Sequence, residues 1–299
     1  MEDDIPEICR LFSDVFGTTM TPEIWHWKYH GLPGSDAIHA VGCDANGTIR
    51  AHMGAQVYPS NMVRGAPMHW LHGCDAMVAP GARGSPSSGG AFGGVVRTLQ
   101  RQIDARYPAG MCYGFPGERP FRLGERLGFY VPQHRIELAT LELDPGSRTR
   151  PGWRRLERVD CVEALAALDT PESGPGILRT ENYLKWRFDQ HPTRSYMGWV
   201  WRLGWRRRAG LVVEEQQDSW NVVEVIGSRA LPTGIIGQLA QAAQKAGRAL
   251  LRWDSAWTAV SVPGVRTQPT GIVAVWIRTP ADAGVAPPLV FQPADTDVF

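Results

Sequence analysis

The chain repeats itself, and no other feature of the sequence limits its possible folds as much. The segment TPEIWHWKYHGLPG at residues 21–34 returns as TENYLKWRFDQHPT at residues 180–193. Thr21, Trp27, Lys28, Tyr29 and Pro33 meet Thr180, Trp186, Arg187, Phe188 and Pro192 at one offset, the 159 positions from Trp27 to Trp186. A chain that restarts a motif in this way is built from related supersecondary units. Each copy reads as a short amphipathic helix with a threonine cap, aromatic side chains for packing and a proline beyond its end.

The two copies are also continued in the same manner. After the first come the strand-like runs IHAVGCD, TIRAHMGAQVY (after the turn signal Asn46-Gly47) and MHWLHGCDAMV. After the second come SYMGWVWRL, AGLVVEE and WNVVEVIG. Each set leads into a long helix and one more strand. Phe92, Val95, Val96, Leu99 and Ile103 mark one face of a helix over residues 90–107, followed by MCYGF. Ile235, Ile236, Leu239, Ala242 and Ala243 do the same over 233–246, followed by LLRWD. A further helix is expected from Ile5 to Phe16 and another over 159–169, while PESGPG at 171–176 is a turn. The Pro/Gly/Arg-rich stretch DPGSRTRPGWRR at 144–155 reads as a linker. This gives an N-terminal half over 1–143, a linker over 144–158 and a C-terminal half over 159–299. The arginines Arg148, Arg150, Arg154, Arg155 and Arg158 then belong to a solvated linker, with an anion site as the alternative.

Composition narrows the function. Thirty-one basic against 30 acidic side chains leave a formal charge of +1, which argues against affinity built on neutralised nucleic-acid phosphates. No apolar run approaches the ~20 residues of a membrane span, and the acidic start MEDDIPEICR is no secretory signal, so a cytoplasmic protein is expected. The five cysteines are far apart with no CxxC pair, which supports neither a disulfide framework nor a zinc site. Twelve tryptophans, clustered as Trp25/Trp27, Trp199/Trp201/Trp205 and Trp253/Trp257, are read as packing residues.

The segment that carries chemistry runs from Cys74 to Ile103, CDAMVAPGARGSPSSGGAFGGVVRTLQRQI. A strand ends at Pro80, a glycine-rich loop comes next and a helix begins near Gly90. Backbone N–H groups at such a helix start form a ready site for a pyrophosphate, and Arg83 adds a charged donor. The spacing His69-x-x-His72-x-x-Asp75 invites a metal reading. On a regular strand, however, His69 and Asp75 share a face that His72 does not, so a three-ligand site would need a bulge and no metal is expected.

Asp75 to Phe92 resembles the acyl-CoA pyrophosphate loop of the GNAT superfamily of N-acyltransferases, in which a Val-x-Pro strand end leads through Arg-Gly and further glycines into a helix. Val78-Ala79-Pro80, Arg83-Gly84 and Gly90-Ala91-Phe92 match that pattern. Tyr113-Gly114-Phe115-Pro116 and Leu127-Gly128-Phe129 resemble later elements of the same fold, and WHWKY with LKWRF resembles members that carry two such halves. The resemblance implies an α/β (α+β) protein of two GNAT-like halves, each a mixed, mostly antiparallel sheet flanked by helices, the second degenerate. The chain departs from the family at three places. Ser85 to Gly89 lengthen the loop by about five residues. Gly124 stands where many such enzymes carry a general-acid tyrosine, with Tyr113 and Tyr130 nearby as substitutes. A helix also comes where a first strand is usual. The second half offers only Leu231-Pro232-Thr233-Gly234 before its helix.

The function implied is transfer of an acyl group, acetyl above all, from acyl-CoA to an amine of a small molecule or amino sugar, with no nucleic acid or membrane as partner. Met77, Val78, Arg83, Gly84, Gly89, Gly90, Ala91 and Phe92 would hold the acyl-CoA, a backbone N–H near Met77 or Val78 polarising the carbonyl. His72, Asp75 and Glu118 are the candidate catalytic groups, His72 first because an ordinary imidazole titrates near neutrality. Competing readings are an inactive GNAT-fold protein that binds a ligand or partner, and an aminoacyl transferase using charged tRNA, which the neutral charge disfavours. An absent first strand leaves a sheet edge that the second half or the tail 288–299, with its apolar run Leu289-Val290-Phe291, is expected to cover.

Overall fold

The computed structural model describes residues 2–58, 62–63, 66–67, 69–84, 89–144, 154–160, 162–168, 177–203, 206–227, 233–257 and 262–280. Two compact units divide the chain. The first takes the residues up to His134 together with the described residues from Ile272 on, and the second takes most of those between. The expected tail segment 288–299 and the loop residues Ser85, Pro86, Ser87 and Ser88 lie outside the described residues, as do Arg148, Arg150, Trp205, Leu231 and Pro232.

The first unit opens on a short 3-10 turn, Glu2–Asp4, and helix α1, Ile5–Phe16. Ile5, Ile8, Cys9 and Leu11 are buried, the spacing of one helical face. Gly17, at φ 71°, ends the helix by donating its N–H to the Ser13 carbonyl. Helix α2, Pro22–His30, starts from the expected cap: the Thr21 hydroxyl accepts from the Ile24 N–H at 3.3 Å. Strands β1 (Asp36–Cys43) and β2 (Ile49–Tyr58) come next, then a short pair β3 (Met62–Val63) and β4 (Ala66–Pro67), then β5 (Trp70–Val78). Helix α3 (Ala91–Arg106), strand β6 (Met111–Gly114), helix α4 (Glu118–Arg126) and strand β7 (Val131–Glu142) complete this stretch.

The sheet of this unit runs β1-β2-β5-β6 and is completed by the chain's last described strand, β13 (Val265–Arg278). Only β5 and β6 are parallel. Alternation along the strands gives the sheet two buried faces. Ile38, Ala40, Ala51, Met53, Ala55, Val57 and Leu71 pack with Val95, Val96, Leu99 and Ile103 of α3. On the other face Ala37, Ile49, Cys74 and Met77 pack with α1 and α2 through Ile5, Ile8, Trp25 and Tyr29. Val273, Val275 and Ile277 of β13 join the α3 side. There the Gln100 side chain donates to the Ile277 carbonyl at 2.7 Å.

The second unit repeats the pattern. Strand β8 (Arg154–Val159) is followed by a 3-10 helix, Val162–Leu168, where one α-helix over 159–169 was expected. The repeated motif forms α5, Glu181–Leu184, capped by Thr180 in the same way as Thr21, and continues as a π-helical turn, Lys185–Asp189. Strands β9 (Tyr196–Leu203), β10 (Arg206–Glu215) and β11 (Ser219–Ile226), helix α6 (Thr233–Lys245) and strand β12 (Leu250–Asp254) complete the series. Within this unit the strands are ordered β7-β12-β11-β10-β9-β8, with β11 and β12 parallel. Ile235, Ile236, Leu239 and Ala243 of α6 pack on Leu211, Val213, Val222, Leu251 and Trp253. The 3-10 helix sits close to two glycines: a Cβ on Gly210 would lie 3.1 Å from Leu165 and one on Gly198 would lie 3.3 Å from Val162.

Two features depart from the boundaries expected from composition. Residues 154–158, assigned to the linker, form most of β8, which pairs with β9 from Arg154↔Leu203 to Val159↔Gly198. Of the arginines that suggest a solvated crossing, Arg154, Arg155 and Arg158 belong to the strand at the end of the sheet order, where charge discourages pairing with a further chain. The division between units falls at His134 and Gly271, not at 143. The last seven residues of β13 complete the first unit, while β7 from Arg135 on belongs to the second, where Leu138 to Glu142 pair with β12.

Candidate functional site

Strand β5 is the best-marked element of the first unit. It pairs with β2 as Gly54↔Cys74 and then as His52↔Met77, so Asp75 and Ala76 stand against Met53 alone. This is a β-bulge. Asp75 there has φ 51°, the only non-glycine residue with positive φ among those described. The β5 ladder with β6 covers Trp70↔Met111, Leu71↔Cys112 and His72↔Tyr113 and goes no further. Beyond the bulge the Ala79 N–H donates to the Arg50 carbonyl at 2.8 Å. Antiparallel alternation therefore turns the Met77 N–H toward β2 and the Val78 N–H away from it, to the side from which β6 has parted. Of the two backbone donors considered from sequence, the geometry favours Val78. The Val78 carbonyl faces the same side and accepts from Arg83 Nε at 3.0 Å.

From Val78 the chain makes a 3-10 turn, Pro80–Ala82, and reaches Gly90, the N-cap of α3. Gly90 supplies no side-chain cap, so the first N–H groups of a 16-residue helix lack one of the usual acceptors. Glycines in such a loop can serve packing or left-handed backbone alone, and the structure separates the cases. A Cβ on Gly54 would fall 2.5 Å from the Tyr29 hydroxyl, and one on Gly73 would fall 2.5 Å from Ile277. Among the described residues, nothing lies within 4 Å of such an atom on Gly81, Gly84 or Gly94, and none of the three has a positive φ. Packing against the described residues does not require glycine at these three positions. Ala91 and Phe92 form the first turn of α3, with Phe92 edge-on to Phe129 and Tyr130 at 6.2 and 6.1 Å.

The three candidate catalytic side chains have separate surroundings. His72 is 3% exposed, on the face of the sheet opposite α3, stacked on Tyr113 at 5.3 Å and edge-on to Phe115 at 5.5 Å. Trp70 and Trp276 extend this aromatic group, 5.7 Å apart. Glu118 begins α4 and accepts from Arg122 Nε at 3.0 Å. Asp75 is enclosed: Oδ1 meets Lys28 Nζ at 2.8 Å and Oδ2 accepts from the Tyr29 hydroxyl at 2.6 Å. His69, the third member of the His-x-x-His-x-x-Asp spacing, instead packs edge-on to Tyr107 at 4.8 Å.

Sequence reasoning missed the groups around Asp75. The Asp75 carbonyl lies 3.1 Å from His52 Nδ1, and His52 Nε2 lies 3.1 Å from His39 Nδ1. A carbonyl only accepts, so His52 Nδ1 donates to it. His39 Nδ1 then donates to His52 Nε2, which fixes both tautomers. Burial, with His52 next in effect, lowers His39 to about 3, and burial also lowers His52. Burial and the Asp75 charge raise the Tyr29 phenol well above its ordinary value. The available signal was the repeat itself: Lys28-Tyr29 recurs as Arg187-Phe188, a cation beside an aromatic ring in both copies.

Gly124 also has a physical explanation. The Tyr130 ring lies over it, so a Cβ there would approach Tyr130 Cδ2 at 2.1 Å. The space beside α4 is taken by a tyrosine from the chain just after the helix. Tyr113, the other possible substitute, lies on the opposite face of the sheet with His72.

No protein-family model and no curated protein matches the sequence. Solved structures do match. A probable N-acyltransferase from Enterococcus faecalis aligns at TM-score 0.65 and 13% identity, over 92% of this chain and 71% of its own. A GCN5-related N-acetyltransferase from Anabaena variabilis aligns at 0.62 and 11%, over 93% and 71%. A tandem GNAT protein from the clavulanic acid biosynthesis pathway aligns at 0.59 and 12%, over 92% and 94%. The architecture is therefore that of the GCN5-related N-acetyltransferases in tandem form, a mixed α/β fold with mostly antiparallel sheet flanked by helices.

Proposed function

We propose that the chain is an acyl-CoA-dependent N-acyltransferase, acting on an amine of a small molecule or amino sugar, with the acyl-CoA held by the first half. One observation carries this reading. Between the end of β5 and the first turn of α3, Gly81, Gly84 and Gly94 leave room that no other described residue uses, beside a long helix opened by Gly90 without a side-chain cap. Backbone donors at a helix start favour an anion, and glycine permits its close approach. Gly84, Gly89, Gly90, Ala91 and Phe92 would hold the pyrophosphate, and Arg83, tied to the Val78 carbonyl, adds positive charge beside it.

In this reading acyl-CoA supplies the thioester that the amine attacks. The Val78 N–H, turned to the gap between β5 and β6, is the donor for the thioester oxygen. His72 receives the amine's proton from the other face of β5. Tyr130, whose ring occupies the space over Gly124, is the hydroxyl for the departing thiolate. Burial raises its phenol, which keeps the hydroxyl protonated and able to donate.

A matched pair of substitutions tests the assignment of the halves by calorimetric titration with CoA and acetyl-CoA. Gly90→Glu places a carboxylate and a Cβ at the start of α3 and should abolish binding while the fold persists. Gly234→Glu, near the start of α6, should leave affinity within about threefold, less than the ~1.4 kcal/mol of a tenfold change. Loss of binding in the Gly234 variant alone would reverse the assignment. No effect from either would leave the loop a simple turn.

A further inference from the structure

Asp75 is poorly placed to take a proton from an incoming amine. Both carboxylate oxygens are engaged, one by Lys28 and one by Tyr29, and the Asp75 and Lys28 side chains are 8% and 6% exposed. It also sits at the bulge, in the left-handed region that most side chains avoid and that Asp tolerates better than most. A conformation of this kind persists where its surroundings over-determine it, and here they do so from three directions. Lys28 and Tyr29, consecutive in α2, hold the carboxylate. His52, whose own position is set by His39, holds the carbonyl. Helix α2 is itself fastened to β2: Gln56 Nε2 donates to the Lys28 carbonyl, and the Tyr58 hydroxyl donates to Gln56 Oε1 at 2.6 Å. Tyr29 reaches Asp75 across Gly54, where a Cβ would meet its ring.

We infer that Lys28, Tyr29 and Asp75 are positioning residues: they clamp the β5 bulge in its left-handed turn, and the clamp directs the Val78 N–H into the gap left by β6. Asp75 thus acts on the reaction through the backbone. The link to acyl transfer rests on the function proposed above, whereas the clamp itself is a property of the unliganded protein.

Two variants test it without leaving an unpaired charge buried. Lys28→Met/Asp75→Asn removes the ion pair, and Tyr29→Phe removes the hydroxyl's bonds to Asp75 and Cys74 while keeping the ring. Both should retain the circular-dichroism spectrum of the parent. In the unliganded protein, amide hydrogen exchange over residues 74–78 should quicken about tenfold or more in the double variant and less in Tyr29→Phe, with α3 unchanged; tenfold corresponds to ~1.4 kcal/mol. Unchanged exchange over 74–78, or acceleration spread evenly over the unit, overturns the clamp. With carbonyl-labelled acetyl-CoA bound, the downward shift of its infrared carbonyl stretch should diminish in the double variant, while CoA affinity stays within about threefold. An undiminished shift overturns the link to the donor. If the parent binds no CoA, the acyltransferase reading fails, and the exchange result still decides the clamp.

Discussion

Single residues show why sequence position and spatial position must be kept apart in this chain. Gly124 replaces a side chain that the resemblance leads one to expect, and the reason is steric: the Tyr130 ring fills that volume from outside the helix. Gly124→Ala should therefore destabilise by about 1–3 kcal/mol, the cost of overpacking a filled site. Combining it with Tyr130→Leu should give a total loss smaller than the sum of the two, measured by urea unfolding. Additive losses would mean that the two residues do not share the space. Asp75 could be singled out from sequence because an acid on a central strand near a glycine loop is a natural catalytic candidate. Its partners could not. Lys28 and Tyr29 lie more than forty positions away, and only the bulge, which breaks the two-residue alternation, brings the carboxylate to them.

Among secondary-structure elements, those with sustained periodicity were legible and those defined by hydrogen-bond offset were not. Helix α1 and the runs that became β1, β2, β5, β9, β10 and β11 can be read directly from apolar spacing and turn residues. The 3-10 helix Val162–Leu168 and the π turn Lys185–Asp189 differ from an α-helix only in which carbonyl each N–H reaches, and a few residues of apolar pattern do not distinguish these. Strand β8 was hidden by its arginines. Strand β13 has a polar first half and an apolar second half, separated by Gly271 at φ 77°. What survived best is the cap at each copy of the repeat, where the Thr21 and Thr180 hydroxyls accept from Ile24 and Tyr183 N–H groups at 3.3 and 3.2 Å. Thr21→Ala and Thr180→Ala should each cost about 1 kcal/mol in denaturant unfolding, with serine restoring most of it. An alanine variant as stable as its parent would show that the cap contributes nothing at that copy.

For the whole molecule, duplication explains more than the repeated motif. Counting five residues on from the first parallel ladder pair, Trp70↔Met111 in one unit and Ser219↔Leu250 in the other, reaches Asp75 and Glu224. Each acid lies at or beside a bulge in its strand, Glu224 next to the break between Val212↔Glu224 and Val213↔Val222. Each is buried against a cation, Asp75 with Lys28 and Glu224 with Arg179 at 3.1 Å. The second unit has thus kept a buried acid–cation pair at the bulge, with Arg179 supplying a cation. The halves are less separable as chain segments. The first unit takes its last strand from the end of the sequence, and Val273, Val275, Trp276 and Ile277 are each at most 4% exposed. Ile277 lies across Gly73 and Gly114, where added Cβ atoms would fall 2.5 and 2.9 Å from its Cδ1. At ~1.5–3 kcal/mol for each large apolar side chain fully buried, these four contribute about 6–12 kcal/mol. That is comparable to the ~5–15 kcal/mol net stability of an ordinary domain. A fragment of residues 1–143, the half that composition alone would delimit, should therefore fail to unfold cooperatively on heating, in contrast to the intact chain. Adding a peptide of residues 265–280 to the fragment should restore part of the transition, because it returns the strand that covers β6. A fragment that melts cooperatively by itself, at a temperature near that of the intact chain, would show that the first half does not depend on the borrowed strand.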